Sequence, residues 1–285
     1  MDDDFIIAAY SIIADSMREF GQESHRLAKV SDSEILTVAV VAAKFFHNHQ
    51  ERALCVMICS GYIPALSISR YNRRLHALAW WLESALVLMG ELFAKGEVFI
   101  IPQGFPTVID SLPLPVVKRV RARRCKKVRG KVFCGYCTRC AGHFAAKKEK
   151  FFGWRLHLVC TPEGIPVSFA LLEASHHDLT PVHELCHVLP TGACVYGDKG
   201  YNSSEDERTL LEETGVKLVP ARRKDMKEQN TLSEFFALQR YRHGIETVNS
   251  QLESMGAQHL KARTNRGFFI KVHASLLAII CTNLD

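Results

Sequence analysis

The chain has 285 residues, of which 47% are hydrophobic and 23% charged, and its formal net charge is +6. This composition argues against a chain that is disordered as a whole, and the length suits one large domain or two smaller ones. The acidic start at residues 1–4 is unlike a secretory signal, and charged residues interrupt the apolar stretch 77–101, so we expect no membrane span. The ten cysteines are then expected to be reduced thiols of a cytoplasmic protein.

The positive charge is concentrated in one segment. Residues 118–150 contain 13 lysines and arginines against a single acid, which gives this segment +12 and leaves the remainder at −6. Such a separation indicates a polyanionic partner, either nucleic acid or a membrane surface. The lack of a basic amphipathic helix disfavours the membrane surface.

The first hundred residues have the pattern of helices. Ser31 and Glu34 form a capping-box sequence, which predicts a helix through Phe46. A long helix is predicted from about Ser69 to Gly96, because apolar residues recur there at spacings of three and four. The members of this buried stripe are Leu75, Leu78, Leu82, Leu86, Met89 and Phe93. We therefore predict an all-helical N-terminal region over residues 1–96.

From residue 97 onward the pattern changes to strands that alternate with helices. Runs rich in β-forming residues occupy 98–101, 107–109, 151–160, 165–172, 193–196 and 216–219, and long helices are predicted over about 232–255 and 267–284. Three strands that can pair as a meander, followed by alternating helix and strand, predict an α/β fold. We expect a ribonuclease-H-like mixed sheet flanked by helices over residues 97–285, with a basic, cysteine-rich insertion at about 112–150.

Three acids occupy special positions in this pattern. Asp110 directly follows a core strand, Asp198 follows another, and Glu246 lies within the long late helix. Alone, each can be a turn residue, a helix cap or a solvated helix residue. Together they can converge, and converging carboxylates repel each other unless hard cations such as Mg²⁺ or Mn²⁺ neutralise them. Arg242, one turn before Glu246, can contact a phosphate or only form an i,i+4 ion pair, and Asn249 can face the same site.

Several motifs occur together along the chain. They are Val108–Ser111 followed by the basic run, Lys150–Leu158, Gly197–Tyr201 and Arg242–Thr247, with Ser31–Glu34 and Arg73–Leu75 in the helical region. In these motifs the chain resembles bacterial insertion-sequence transposases of the DDE superfamily, whose catalytic domain is ribonuclease-H-like. The resemblance implies that Asp110, Asp198 and Glu246 form a catalytic triad that binds two Mg²⁺ or Mn²⁺ ions.

The resemblance also implies an activity and partners. Such an enzyme cuts DNA at the ends of its mobile element and joins those ends to a target, with double-stranded DNA as partner, both the terminal inverted repeats and the target. A homodimer on paired ends, a cytoplasmic location at the bacterial nucleoid, and DNA-end binding by residues 1–96 are expected. Arg242 belongs to a tyrosine-arginine-glutamate-lysine signature, from which the chain departs at its outer positions, where Gln239 and Glu253 stand.

A set of basic side chains is predicted to contact DNA phosphates, which positions the backbone without reading sequence. Some could instead belong to a solvated loop. The set consists of Lys118, Arg119, Arg121, Arg123, Arg124, Lys126, Lys127, Lys199 and Arg242, with Arg73 and Arg74 in the helical region.

Four cysteines lie within the basic segment, at Cys125, Cys134, Cys137 and Cys140. Their thiolates can bind a structural Zn²⁺, although unliganded thiols are the default in a cytosolic protein. Residues 176–178 (His-His-Asp) resemble a metal motif, but a polar turn before the helix start at Thr180 is favoured. Two other functions stay open: a ribonuclease-H-like nuclease that cleaves without joining, and a non-catalytic DNA-binding regulator built on a zinc-binding cysteine loop.

Overall fold

The computed structural model describes residues 2–96, 105–118, 141–144, 149–224 and 226–284. The helices in these ranges are α1 (Asp3–Glu19), α2 (Asp32–Phe46), α3 (Gln50–Cys59), α4 (Ile68–Ala77), α5 (Ala79–Lys95), α6 (Val182–Cys186), α7 (Ser204–Thr214), α8 (Leu232–Ser254) and α9 (Asn265–Asn283). The strands are β1 (Pro106–Lys118), β2 (Ala141–Phe144), β3 (Glu149–Cys160), β4 (Pro166–Glu173), β5 (Cys194–Gly197) and β6 (Lys217–Pro220). The described residues divide into two compact units. A helical unit contains residues 2–86 and 251–284, and a sheet unit contains the described residues from 87 to 250.

The helical unit is built around α2. The Ser31 hydroxyl accepts the Glu34 N–H at 3.1 Å and the Glu34 carboxylate accepts the Ser31 N–H at 2.5 Å, which confirms the predicted capping box. Residues 35–43 are all buried, because α1, α3 and α9 pack around this helix. The last helix, α9, falls in the sequence range predicted for the second domain, yet its buried residues complete this core. The functional boundary at residue 96 stays a prediction.

The single long helix predicted from Ser69 is wrong, because two helices occupy this range. α4 ends at Ala77 and α5 begins at Ala79, with axes bent by 51°. The stripe from Leu75 to Phe93 is nevertheless buried as predicted, since the spacing of apolar residues continues across the break. No single helix among the described residues is long and apolar enough to span a membrane; only α4 and α5 taken together would satisfy such a length-and-composition criterion.

The sheet unit contains a mixed sheet with strand order β2-β3-β1-β5-β6, in which β4 also pairs with β3. β3 pairs antiparallel with β1, β2 and β4, whereas β1, β5 and β6 run parallel to one another. The short helix α6 packs on β3 and β4, and α7 packs against β6. This arrangement confirms the predicted fold class, a mixed α/β sheet of the ribonuclease-H-like kind flanked by helices.

β1 is longer than the sequence predicted. The expectation that the strand ends at Asp110 is wrong, because β1 continues to Lys118 in an antiparallel ladder with β3. Its parallel pairing with β5 does stop, at Ile109 opposite Gly197. Beyond that point only one edge of β1 is paired among the described strands, so Pro113 can lie in it without breaking a ladder on both sides. The insertion predicted from about residue 112 therefore begins as strand, and the predicted run at 98–101 lies outside the described residues.

Candidate active site

The parallel register of two strands places two of the predicted acids at the same edge of the sheet. Ile109 of β1 lies opposite Gly197 of β5, and the next residues in the sequence are Asp110 and Asp198. Parallel strands run in the same direction, so the residues that follow a matched pair emerge side by side. The predicted neighbourhood of these two aspartates is thus produced by the sheet itself.

Asp110 is partly buried and is held at both carboxylate oxygens. The Ser111 backbone N–H donates to Oδ1 at 2.8 Å, and Asn249 Nδ2 of α8 donates to Oδ2 at 2.9 Å. The pKa of Asp110 is raised to about 6; burial is the largest cause, the nearby charges of Asp198 and Asp178 act in the same direction, and the two hydrogen bonds oppose the shift. No lysine or arginine in the described part of the chain forms an ion pair with Asp110 or Asp198.

Asp198 begins a tight 3₁₀ turn over Lys199–Tyr201, and its Oδ1 accepts the Gly200 N–H at 2.7 Å. A Cβ added at Gly200 would lie 2.9 Å from Asp198 Oδ1 and 3.0 Å from Asp178 Oδ2. The absence of a side chain at Gly200 thus allows these carboxylates to approach each other. The simple turn that we considered as the alternative at Asp198 is present, and it orients the carboxylate.

Helix α8 carries the third predicted acid. A Cβ added at Gly244 would lie 2.3 Å from the carbonyl oxygen of Pro162, so α8 lies directly against the turn between β3 and β4. On this helix Arg242 Nε donates to Glu246 Oε1 at 2.7 Å, and this hydrogen bond is the first cause of the raised pKa of Arg242. The two side chains are 65% and 54% exposed, so the ion pair is weak.

A small cavity of about 80 Å³ lies where these elements meet. Asp110, Asp198 and Arg242 line it, together with Gln239, at the position where the related signature has tyrosine. Glu246 does not line this cavity, and it forms an ion pair with Arg242. Within the described ranges no group of three His, Cys, Asp or Glu side chains is close enough together to hold a metal ion. The metal site with all three acids stays a prediction.

A fourth acid, Asp178, belongs to this site although the sequence favoured only a polar turn at residues 176–178. Its Oδ1 accepts the Ser111 hydroxyl at 2.8 Å and Arg155 Nη1 at 2.8 Å. The buried Tyr201 has its pKa raised well above the ordinary value, first by burial and then by the charges of Asp110, Asp178 and Asp198. One signal could have found Asp178: it follows β4, which runs parallel to β1 on the far side of β3, so it emerges at the same edge as Asp110.

Most of the predicted DNA-binding residues lie outside the residues that the structure describes. Residues 119–140 are not described, which includes Arg119, Arg121, Arg123, Arg124, Lys126 and Lys127 and the cysteines Cys125, Cys134, Cys137 and Cys140. The zinc prediction therefore stays a prediction. Lys118 ends β1, and Lys199 and Arg73 are exposed. Arg74 is occupied inside the helical unit, because it pairs with Asp32 and donates to the Val30 carbonyl at 2.6 Å.

Comparison with known proteins relates this region to one family. The family model described as "Transposase DDE domain" matches residues 103–264, which include Asp110, Asp198 and Glu246. The chain is also similar to the transposase for insertion sequence element IS1106 from Neisseria meningitidis serogroup B, with 30% identity over 139 residues. That alignment covers 46% of this chain and 46% of the relative, so it spans about half of each protein. No solved structure matches the chain.

Proposed function

The chain belongs to the family of transposase DDE domains, and we propose that it cuts DNA at the ends of its own mobile element and joins those ends to a target. One observation supports this best. In a chain of this family, the β1–β5 register brings Asp110 and Asp198 to one sheet edge, where Arg242 lines the same cavity. The proposed partners are the element's terminal inverted repeats and target DNA, bound by a homodimer on paired ends at the bacterial nucleoid.

The acids of the site have the chemistry of a hard divalent-cation site. Their donors are carboxylate oxygens, and the pKa of Asp110 is raised first by burial and then by the charges of Asp198 and Asp178, which a bound cation would offset. Asp110 and Asp198 would hold Mg²⁺ or Mn²⁺, with Glu246 as the third ligand. Two such ions, when bound, supply activation of the attacking hydroxyl and stabilisation of the leaving oxygen in phosphodiester chemistry.

The protein's own groups orient these ligands and the DNA. Asn249 and the Ser111 N–H fix the direction of the Asp110 carboxylate, and the Gly200 N–H fixes that of Asp198. Arg242 can keep Glu246 in place or contact a DNA phosphate, and it can leave Glu246 when a phosphate binds. An exposed i,i+4 pair of this kind contributes only about 0.5 kcal/mol, so a phosphate can replace Glu246 at little cost.

The test is a strand-transfer reaction with the full-length protein, a labelled duplex carrying the element's end, a target plasmid and Mg²⁺. We expect joined product with the wild type and its loss in Asp110→Ala and Asp198→Ala. The matched control is Glu205→Ala, which removes an exposed acid of α7 in the same unit. Cleaved but never joined ends would instead indicate a nuclease. Joining that survives in Asp110→Ala would refute the assignment of the acids, and Mg²⁺-independent binding without cleavage would indicate a regulator.

A further inference from the structure

The helical unit contains a large open cleft that no predicted site accounts for. Its volume is about 1040 Å³, and its walls are the turn between α2 and α3, the start of α4, the chain after α8, and α9. We call it the basic cleft. Its lysines and arginines are Arg52, Lys261, Arg263 and Lys271, and its acids are Glu51 and Glu253.

The cations of the basic cleft have no carboxylate partner among the described residues. In the described part of the chain none of Arg52, Lys261, Arg263 and Lys271 forms an ion pair. The acid Glu253 instead accepts a hydrogen bond from Gln258. Burial lowers the pKa of Lys271, and the charge of Lys261 lowers it further, so two ammonium groups act on each other across the cleft. Like charges held together in a concave site are stabilised when an anion binds between them.

The turn between α2 and α3, which lines the basic cleft, is held by hydrogen bonds. His47 and Asn48 both have positive φ angles, 48° and 62°, which non-glycine residues adopt only where the surroundings hold them. The buried Asn48 amide donates to the Met255 carbonyl at 3.1 Å and to the Ser275 hydroxyl at 3.0 Å, and Lys271 Nζ donates to the Asn48 carbonyl at 2.8 Å. These bonds tie the α2–α3 turn to the segment after α8 and to α9. The α2–α3 turn and the Lys271 side chain are thus held in place before any ligand binds.

The backbone adds to this positive field. Residues 49–52, at the N-terminus of the ten-residue helix α3, line the basic cleft. The first N–H groups of a helix lack intrahelical acceptors, and the helix dipole is positive at this end. Helix start and side-chain cations therefore favour the same class of ligand, an oxyanion such as phosphate.

We propose that the basic cleft binds the phosphate backbone of a DNA duplex. The inference rests on the proposed function for its choice of DNA, and it adds a contact site in the helical unit that differs from the residues predicted by sequence. The four cations come from three separate segments, α3, residues 261–263 and α9, and so surround an open cleft. That distribution suits several phosphates in a row better than a single small anion.

The test measures DNA binding by the full-length protein in EDTA, which removes the divalent cations that the proposed cleavage and joining need. The probe is a fluorescent duplex of arbitrary sequence, titrated at several salt concentrations. For Lys261→Ala/Arg263→Ala we expect about tenfold weaker binding and a salt dependence lower by about two phosphate contacts. The matched control is Arg26→Ala/Lys29→Ala, which removes an exposed arginine and lysine of the same unit outside the cleft and should leave affinity unchanged.

A charge-conserving variant and a competition experiment distinguish a DNA site from a nonspecific effect of charge and from a small-anion pocket. The conservative variant Lys261→Arg/Arg263→Lys should restore wild-type binding, because both charges remain. Equal losses in the two alanine double variants would overturn the proposal, since any exposed cation would then suffice. Displacement of the duplex by inorganic phosphate at constant ionic strength would also overturn it, by showing a small-anion pocket. The double variants keep Asp110 and Asp198, and this assay contains no Mg²⁺, so failure of strand transfer and failure of this proposal give different results.

Discussion

Replacing Asp110 by asparagine should stabilise the metal-free protein while it abolishes the proposed activity. Burial raises the pKa of Asp110 from an ordinary 3.8 to about 6 in the folded chain, so folding disfavours its charged form. A shift of about two pKa units corresponds to about 3 kcal/mol. Since the side chain is partly exposed, we expect Asp110→Asn to raise the free energy of unfolding at pH 8 by roughly 1–3 kcal/mol.

The pH dependence gives the sign of the effect. A group with a raised folded pKa binds more protons in the folded state, so the stability it contributes is complete below about pH 4 and is lost as the pH rises through about 6. The difference between the two proteins should therefore be largest at pH 8 and about half as large at pH 5. The buried His157 and His273, with pKa values lowered to about 4 by burial, destabilise both proteins alike as the pH falls below about 6.5 and cancel in this difference.

The assay is urea unfolding in EDTA at pH 5 and pH 8, with Glu23→Gln, at an exposed acid outside the helices, as a control expected to change neither value. Addition of Mg²⁺ at pH 8 should stabilise the wild type more than Asp110→Asn, because a neutral amide oxygen is a weaker ligand than a carboxylate. A variant no more stable than wild type at pH 8, or a difference that does not shrink at pH 5, would refute the reasoning.

Two other substitutions test the supports of the site by urea unfolding at pH 7. Gly244→Ala should lower the free energy of unfolding by about 1–3 kcal/mol, because its Cβ would meet the Pro162 carbonyl oxygen, whereas a helical glycine-to-alanine change ordinarily stabilises by about 1 kcal/mol. The adjacent exposed His243→Ala is the control, and stabilisation by Gly244→Ala would contradict the close approach. Asp178→Asn should cost about 1–2 kcal/mol, because Arg155 loses its partly buried ion pair, and an unchanged stability would argue against this pair.

Local chemistry made the helix starts and the element order predictable. The capping box at Ser31 and the extent of α8 depend on residues close together in the sequence, and the structure has both. The break at Leu78 and the length of β1 depend on tertiary packing instead. The sequence predicted that the strand ends at Asp110, yet Pro113 lies within β1, because β1 is paired on one edge only at that point.

The part of the site that the parallel strands position, the pair Asp110 and Asp198, was predictable from the sequence. Asp110 and Asp198 follow matched residues of adjacent strands, and that matching follows from element order. Asp178 was missed because its partners Ser111 and Arg155 are 67 and 23 residues away in the sequence. The basic cleft was missed for the same reason, since its walls come from both ends of the chain and the charge count pointed only to residues 118–150.

Glu246 and Arg242 differ from the other residues of the site in how they are held. Asp110 and Asp198 are fixed by backbone and amide donors, whereas Glu246 and Arg242 have mainly each other, in an exposed pair. In the proposed function Glu246 binds a cation and Arg242 binds a DNA phosphate. When either side chain leaves the ion pair, the other becomes free to bind its own ligand. Cation and DNA binding should then strengthen each other by the same factor, as linkage requires. DNA titrations that gave equal affinities with and without Mg²⁺ would contradict this coupling.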